Sequence, residues 1–227
     1  MTSAVIVAAG KGTRMGPGID KLFLKCAGKP IIAHTWLKFD QTSCIGHIVL
    51  VVRDGMQDTF RQLASEYGLL KPFEIVTGGK ERQDSVWNGI QALPQQCEIV
   101  AIHDGARPCV TRQLIEKTVQ TATTFGAAVA SQRVIDTIKV SRDGKTICST
   151  PQRTHLWAVQ TPQTFQVEII KKALTQVRNQ GILVTDDTAA CEYIQQPVYL
   201  VESEQPNPKA TSQSDIPYLE HLLQSKY

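Results

Sequence analysis

The six cysteines contain no Cys-x-x-Cys pair, and the five histidines form no His-x-x-x-His or Cys/His cluster. A structural zinc site needs such a cluster, so the sequence argues against one. The unpaired cysteines read instead as small apolar residues in a reducing compartment, which points to the cytoplasm. There is no apolar run of about eighteen residues, so no helical membrane span is expected. Met1 to Val5 lead straight into an apolar run without a charged leader, so no signal peptide is expected either. Aromatic residues make up only 6% of the chain, and the net charge is a mild +3. A nucleic-acid binder needs a dense basic patch with interleaved aromatics, and none is present.

The first segment of the chain is organised most clearly. The apolar run Ser3 to Ala8 opens into Ala9, Gly10, Lys11, Gly12, Thr13, Arg14, Met15 and Gly16, with Lys21 following. Continuous apolar runs mark buried strands of parallel sheets. Glycines after such a strand let the backbone approach a ligand, and their N–H groups can cradle phosphate. The spacing is neither a P-loop nor the dinucleotide fingerprint, because the third glycine falls late and Pro17-Gly18 would break a first helical turn. Arg14 and Lys21 at the two ends suit a loop that wraps a triphosphate. A strand, a turn and a solvated basic surface is the plainer reading of the same residues.

Further along, apolar strands are predicted at 45–52, 73–76, 99–103 and 127–130. Helices are predicted at 31–40, 56–67, 85–93 and 111–125, with Thr111 as an N-cap. This alternation predicts one α/β domain with a doubly wound, mostly parallel sheet. The rhythm breaks after residue 133. Val134 to Val140 and Thr146 to Ser149 flank Asp143-Gly144, a strong hairpin signal. A two-stranded arm is marginal alone, so a projecting arm at about 133–156 predicts a homodimer that steadies it. The alternative is a hairpin lying flat on its own sheet. Residues 156–159 are expected to rejoin the sheet, followed by helices at 166–179 and 189–194. A strand at 198–201 and a helix at 212–226 close the chain.

In such a sheet ligands bind beyond the carboxyl ends of the strands. Four segments fall there: Gly10 to Lys21, Gly78 to Ser85, His103 to Pro108, and Asn207 to Lys209. Asp104 at a strand tip beside Arg107 reads either as a loop-pinning ion pair or as help in placing Mg²⁺ or a substrate hydroxyl. Mg²⁺ needs few carboxylates when phosphate oxygens supply the rest. Asp186 and Asp187 read as helix capping.

Ala8 to Met15 with Lys21 resembles the N-terminal signature of sugar-nucleotide pyrophosphorylases and cytidylyltransferases. Gly78-Gly79 with Arg82 and Ser85, His103 to Pro108, Val134 to Lys139, Gln160 to Gln163, Thr185-Asp186 and Lys209 narrow the match. Together they are similar to the 2-C-methyl-D-erythritol 4-phosphate cytidylyltransferase family of the non-mevalonate isoprenoid pathway. The chain departs from the family at Asp20 and Leu22 around Lys21, at Lys80, and at Ala210 to Gln213.

The resemblance implies roles. Arg14, Lys21, Arg153 and Lys209 would be catalytic, neutralising and positioning CTP and methylerythritol phosphate. Ala8, Ala9, Gly10, Gly12, Gly79, Ser85, Ala106 and Arg107 would bind the nucleotide. Asp104, Thr137, Thr161, Thr185, Arg153 and Lys209 would hold the second substrate. Asp104 would also face Mg²⁺ or another divalent cation. The arm would carry Thr137 and Arg153 to the neighbouring subunit's site. A cytidylyltransferase for another polyol phosphate, such as ribitol 5-phosphate, and a non-catalytic nucleotide-binding regulator are the alternatives.

Overall fold

The computed structural model describes residues 1–10 and 20–225. Three apolar runs become the buried centre of a sheet: β1 (Thr2–Ala8), β4 (His47–Val52) and β6 (Ile99–Asp104). Two strands of two residues each, β2 (Lys25–Cys26) and β3 (Lys29–Pro30), form a small separate ribbon. The sheet is completed by β5 (Phe73–Thr77), β7 (Ala127–Arg133), β8 (Trp157–Gln166) and β9 (Tyr199–Glu202). The strand order is β5-β4-β1-β6-β8-β7-β9. β1 lies parallel to both β4 and β6, and β4 to β5, while β8 runs antiparallel between β6 and β7. The mostly parallel α/β sheet read from the sequence is therefore present, with one reversed strand inserted.

Side chains alternate between two cores, as the strand period of two requires. Ala4, Ile6, Ile48, Leu50 and Ala101 face one layer, built on α1 (Ile31–Asp40), α2 (Gln57–Glu66), α4 (Arg112–Phe125) and α7 (Ile216–Gln224). Val5, Val49, Val51, Val100 and Ile102 face the other, built on α3 (Arg82–Gln91), α5 (Val167–Asn179) and α6 (Asp187–Tyr193). Thr111 caps α4 as expected, its hydroxyl accepting from Leu114 N at 3.1 Å. The closing helix is shorter than 212–226, because a capping box from Ser212 and Asp215 makes its first turn a separate 3₁₀ turn.

The return to the sheet was expected to end at Val159. Instead β8 continues through the polar run Gln160 to Thr164 to Gln166, and those polar residues are buried. Most of their side-chain polar groups find partners on the neighbouring strands or on the helices packed against them, which lowers the cost of burying them. One such bond runs from Thr164 Oγ1 to Thr118 Oγ1 at 3.0 Å.

Residues 134–156 leave the body. The turn forms where Asp143-Gly144 predicts it: the Asp143 carboxylate accepts from Lys145 N and Thr146 N, both at 2.8 Å, and Gly144 has φ +68°. The flanks do not zip up. Val140 and Ser149 form one isolated bridge instead of a ladder. Ile135 is 81% exposed and Ile147 66% exposed.

Candidate active site

β1 and β6 end side by side, with Val7 opposite Asp104. Beyond their ends lies a cleft of about 410 Å³, lined by Ala8 at the end of β1, Ala9 and Gly10 just past it, Lys21 and Leu22, Gly79 to Arg82 with Ser85, Asp104 and Ala106, and Lys209. That volume suits a small-molecule site. All four segments expected at the carboxyl edge thus contribute to one cleft. Gly12 and Arg14 lie outside the described residues.

Close approach explains the Gly-Gly turn. A Cβ on Gly78 would fall 2.4 Å from Ala9 Cβ, and one on Gly79 would fall 2.3 Å from Asp84 Cβ. Ser85 Oγ accepts from Gly79 N at 3.1 Å and donates to Glu81 O at 3.2 Å, so the hydroxyl fixes the turn. Glu81 and Asp84 complete a capping box at the start of α3. That start aims Arg82 inward. Lys21 is held from the opposite rim, its Nζ donating to Ala210 O at 3.2 Å.

Asp104 is the electrostatic centre. Its Oδ2 meets Lys209 Nζ at 2.6 Å, and its Oδ1 meets Arg82 Nε at 3.4 Å. Burial alone would push this carboxyl up, but Arg82, Lys209 and Arg107 outweigh it and hold it well below the usual range. The Asp104–Arg107 ion pair considered from the sequence does not form. Arg107 instead donates from Nη1 to Asn207 O at 2.7 Å.

Sequence reasoning missed the role of Arg82, although it lies in a quoted motif. Its guanidinium also grips Asp187 with two parallel bonds of 2.9 Å. Burial pushes the Asp187 carboxyl up, against the pull of Arg82. Asp187 is therefore more than a helix cap, while Asp186 is one: its Oδ1 accepts from Ala189 N at 2.9 Å. The 105-residue gap between Arg82 and Asp187 left no local signal for their pairing.

The remaining expected residues are placed differently. Thr161 is 4% exposed, and its hydroxyl is engaged by Asp104 N and His103 Nδ1, each at 3.1 Å. Thr185 is exposed just before α6. Thr137 and Arg153 are exposed in the 134–156 segment and do not line this cleft; Arg153 donates to Ile135 O.

Direct metal ligation by Asp104 does not fit this arrangement. Both carboxylate oxygens already face cations, Lys209 on one and Arg82 on the other.

The family model described as 2-C-methyl-D-erythritol 4-phosphate cytidylyltransferase matches residues 2–225. A protein of that name from Alkaliphilus oremlandii is 41% identical over 226 residues, covering 99% of this chain and 96% of its own. One from Caldanaerobacter subterraneus is 42% identical over 222 residues, covering 97% and 98%. The crystal structure of 4-diphosphocytidyl-2C-methyl-D-erythritol synthase from Anaerococcus prevotii superposes with a TM-score of 0.87 at 30% identity, covering 99% and 96%. The matched span includes every segment that builds the cleft, and the chain belongs to the 2-C-methyl-D-erythritol 4-phosphate cytidylyltransferase family.

Proposed function

We propose that this enzyme transfers CMP from CTP to 2-C-methyl-D-erythritol 4-phosphate, within the non-mevalonate route to isoprenoid precursors. A phosphate oxygen of the methylerythritol phosphate attacks the α-phosphorus of CTP. The bond from that phosphorus to the β-phosphate oxygen breaks, pyrophosphate leaves, and 4-diphosphocytidyl-2-C-methyl-D-erythritol forms. Such a transfer rests on positioning and charge neutralisation, not on a covalent intermediate.

The observation that carries this reading is the convergence of Lys21, Arg82 and Lys209 with Asp104 on one cleft at the sheet's carboxyl edge. In this reading Ala8, Ala9, Gly10, Gly12, Gly79, Ser85 and Ala106 follow the nucleotide. Arg14 and Lys21 take up charge growing on the triphosphate. Lys209, aimed by Asp104, holds the incoming phosphate, with Arg107 beside it. Thr185 borders the same side. Lys21 and Lys209 supply the protein's own positive charge against the repulsion between the two polyanions, and a divalent cation such as Mg²⁺ carried by the triphosphate would add to it.

Thr137 and Arg153 complete the second-substrate pocket of a neighbouring subunit. The exposed Ile135, Ile138, Val140 and Ile147 support that dimer, because the arm has little of its own chain to pack on. The cytoplasm suits six free thiols.

Pyrophosphate release tests the assignment. It is expected with CTP plus 2-C-methyl-D-erythritol 4-phosphate, and not with ribitol 5-phosphate or with ATP, GTP or UTP. Faster release with ribitol 5-phosphate, or none with any polyol phosphate, would overturn it.

A further inference from the structure

Four residues next to the cleft close a ring of hydrogen bonds around a fully buried histidine. His103 Nε2 lies 3.2 Å from Arg107 O, and its Nδ1 lies 3.1 Å from Thr161 Oγ1. Thr161 O accepts from Asn207 Nδ2 at 2.8 Å, and Asn207 O accepts from Arg107 Nη1 at 2.7 Å. Only one assignment of protons satisfies both contacts of the His103 ring. A carbonyl only accepts, so His103 Nε2 carries the hydrogen. Nδ1 is then the acceptor, and the Thr161 hydroxyl donates to it. That leaves the hydroxyl oxygen to accept Asp104 N–H at 3.1 Å. The ring ties three distant pieces of chain together: the strand tip holding Asp104, the reversed strand holding Thr161, and the loop holding Lys209. A further bond, Ala210 N to Ala106 O at 2.8 Å, stitches the same loop to the same turn.

We infer that Asn207 and His103 are positioning residues for the transfer. Their hydrogen bonds fix Asp104, Arg107 and Lys209 relative to one another, so that the second substrate's phosphate meets Lys209 in a preset place on the cleft wall. Asn207 is 2% exposed, so it acts through its neighbours and touches no substrate. Its side chain joins the Lys209 loop to β8, and its backbone carbonyl orients Arg107. His103 packs against the Phe39 ring, 4.9 Å between centroids, which sets its plane. Reactions of this kind depend on alignment, and a misplacement of about 1 Å far from the chemistry can cost about 10²-fold in rate.

The inference rests on the proposed reaction, and the test separates the two. Asn207→Asp keeps the shape but replaces the donor to Thr161 O with an acceptor. His103→Gln keeps a donor for Arg107 O and loses the Thr161 bond; His103→Phe keeps ring volume and loses both. Each is assayed for turnover with both substrates, for CTP binding by calorimetry, and for thermal unfolding. Asn207→Asp is expected to lower kcat/KM for methylerythritol phosphate about tenfold or more, with CTP affinity changed less than about threefold. His103→Gln is expected to retain more activity than His103→Phe. Should Asn207→Asp not fold, the two His103 variants decide the matter by the same readouts. Unchanged kinetics would overturn the inference, as would losses that only track lowered thermal stability or that fall equally on CTP binding. An inactive wild type would instead defeat the reaction assignment.

Discussion

The strand tips and the arm are opposite solutions to holding charged residues in place. At the carboxyl edge, Asp104, Arg82, Lys209 and Asp187 are fixed by paired charges over buried strands. In residues 134–156, Thr137 and Arg153 sit on an exposed segment with one β-bridge and several apolar side chains in solvent. The first region is organised by its own chain. The second has the composition of a surface that another molecule completes. A site assembled from both would therefore have one preformed wall and one wall that depends on association.

The largest expected break in this contrast is Lys21→Ala. Removing one well-placed donor of this type costs about 10²–10³ in turnover. The unfolding transition should stay in place, as circular dichroism would check; near-normal turnover would remove Lys21 from the chemistry.

Next is Asp187→Ala. It leaves the Arg82 guanidinium with one of its two carboxylate partners, and removing one member of a buried pair costs on the order of 3 kcal/mol. Urea unfolding should show that loss, together with weaker activity as Arg82 lets go of its set orientation. Retained stability would mean that the pair is solvated.

The effect of pH is small near neutrality and grows only as the solution is acidified. Burial drives the His103 value down from 6.5 to about 3, so the imidazole stays neutral in the folded protein. The unfolded chain takes up that proton below about pH 6.5. Stability is therefore whole above that value and falls as the pH drops towards 3, by roughly 1 kcal/mol per pH unit. His34 and His47, both also lowered by burial, act in the same direction. Below about pH 4 the depressed Asp104 carboxyl adds to the loss, since the unfolded chain is protonated first. Urea titrations at several pH values should show the slope, and His103→Gln should flatten it between pH 6 and 4.

The smallest effect on the folded body belongs to the arm. Ile135→Ser with Ile147→Ser removes two exposed side chains and should leave the unfolding midpoint of the isolated subunit unchanged. Sedimentation should nonetheless show weaker self-association, and turnover should fall with it. Unchanged association would assign the arm a different role.

The elements that were legible in the sequence share one property: their residues bury themselves by local pattern. β1, β4 and β6 are apolar runs, and α4 announces itself with Thr111. The second half of β8 was not legible, because Gln160 to Thr164 look like loop. Only pairing on both sides, with β6 and β7, makes those polar side chains fit a buried strand. The site divided in the same way. The glycines, Lys21, Asp104 and Lys209 were visible as residue types at strand ends. The partners that hold them were not, and the nearest cation in sequence, Arg107, proved the wrong partner for Asp104.

The sequence by itself determined the sheet's central strands, the glycine-rich turns and the supply of cations at the strand ends, because hydrophobic period and turn chemistry are local. Tertiary structure alone decided which charge meets which. Pairings such as Arg82 with Asp187 or Lys209 with Asp104 span about half the chain. They depend on distances that exist only after the strands have stacked in their final order.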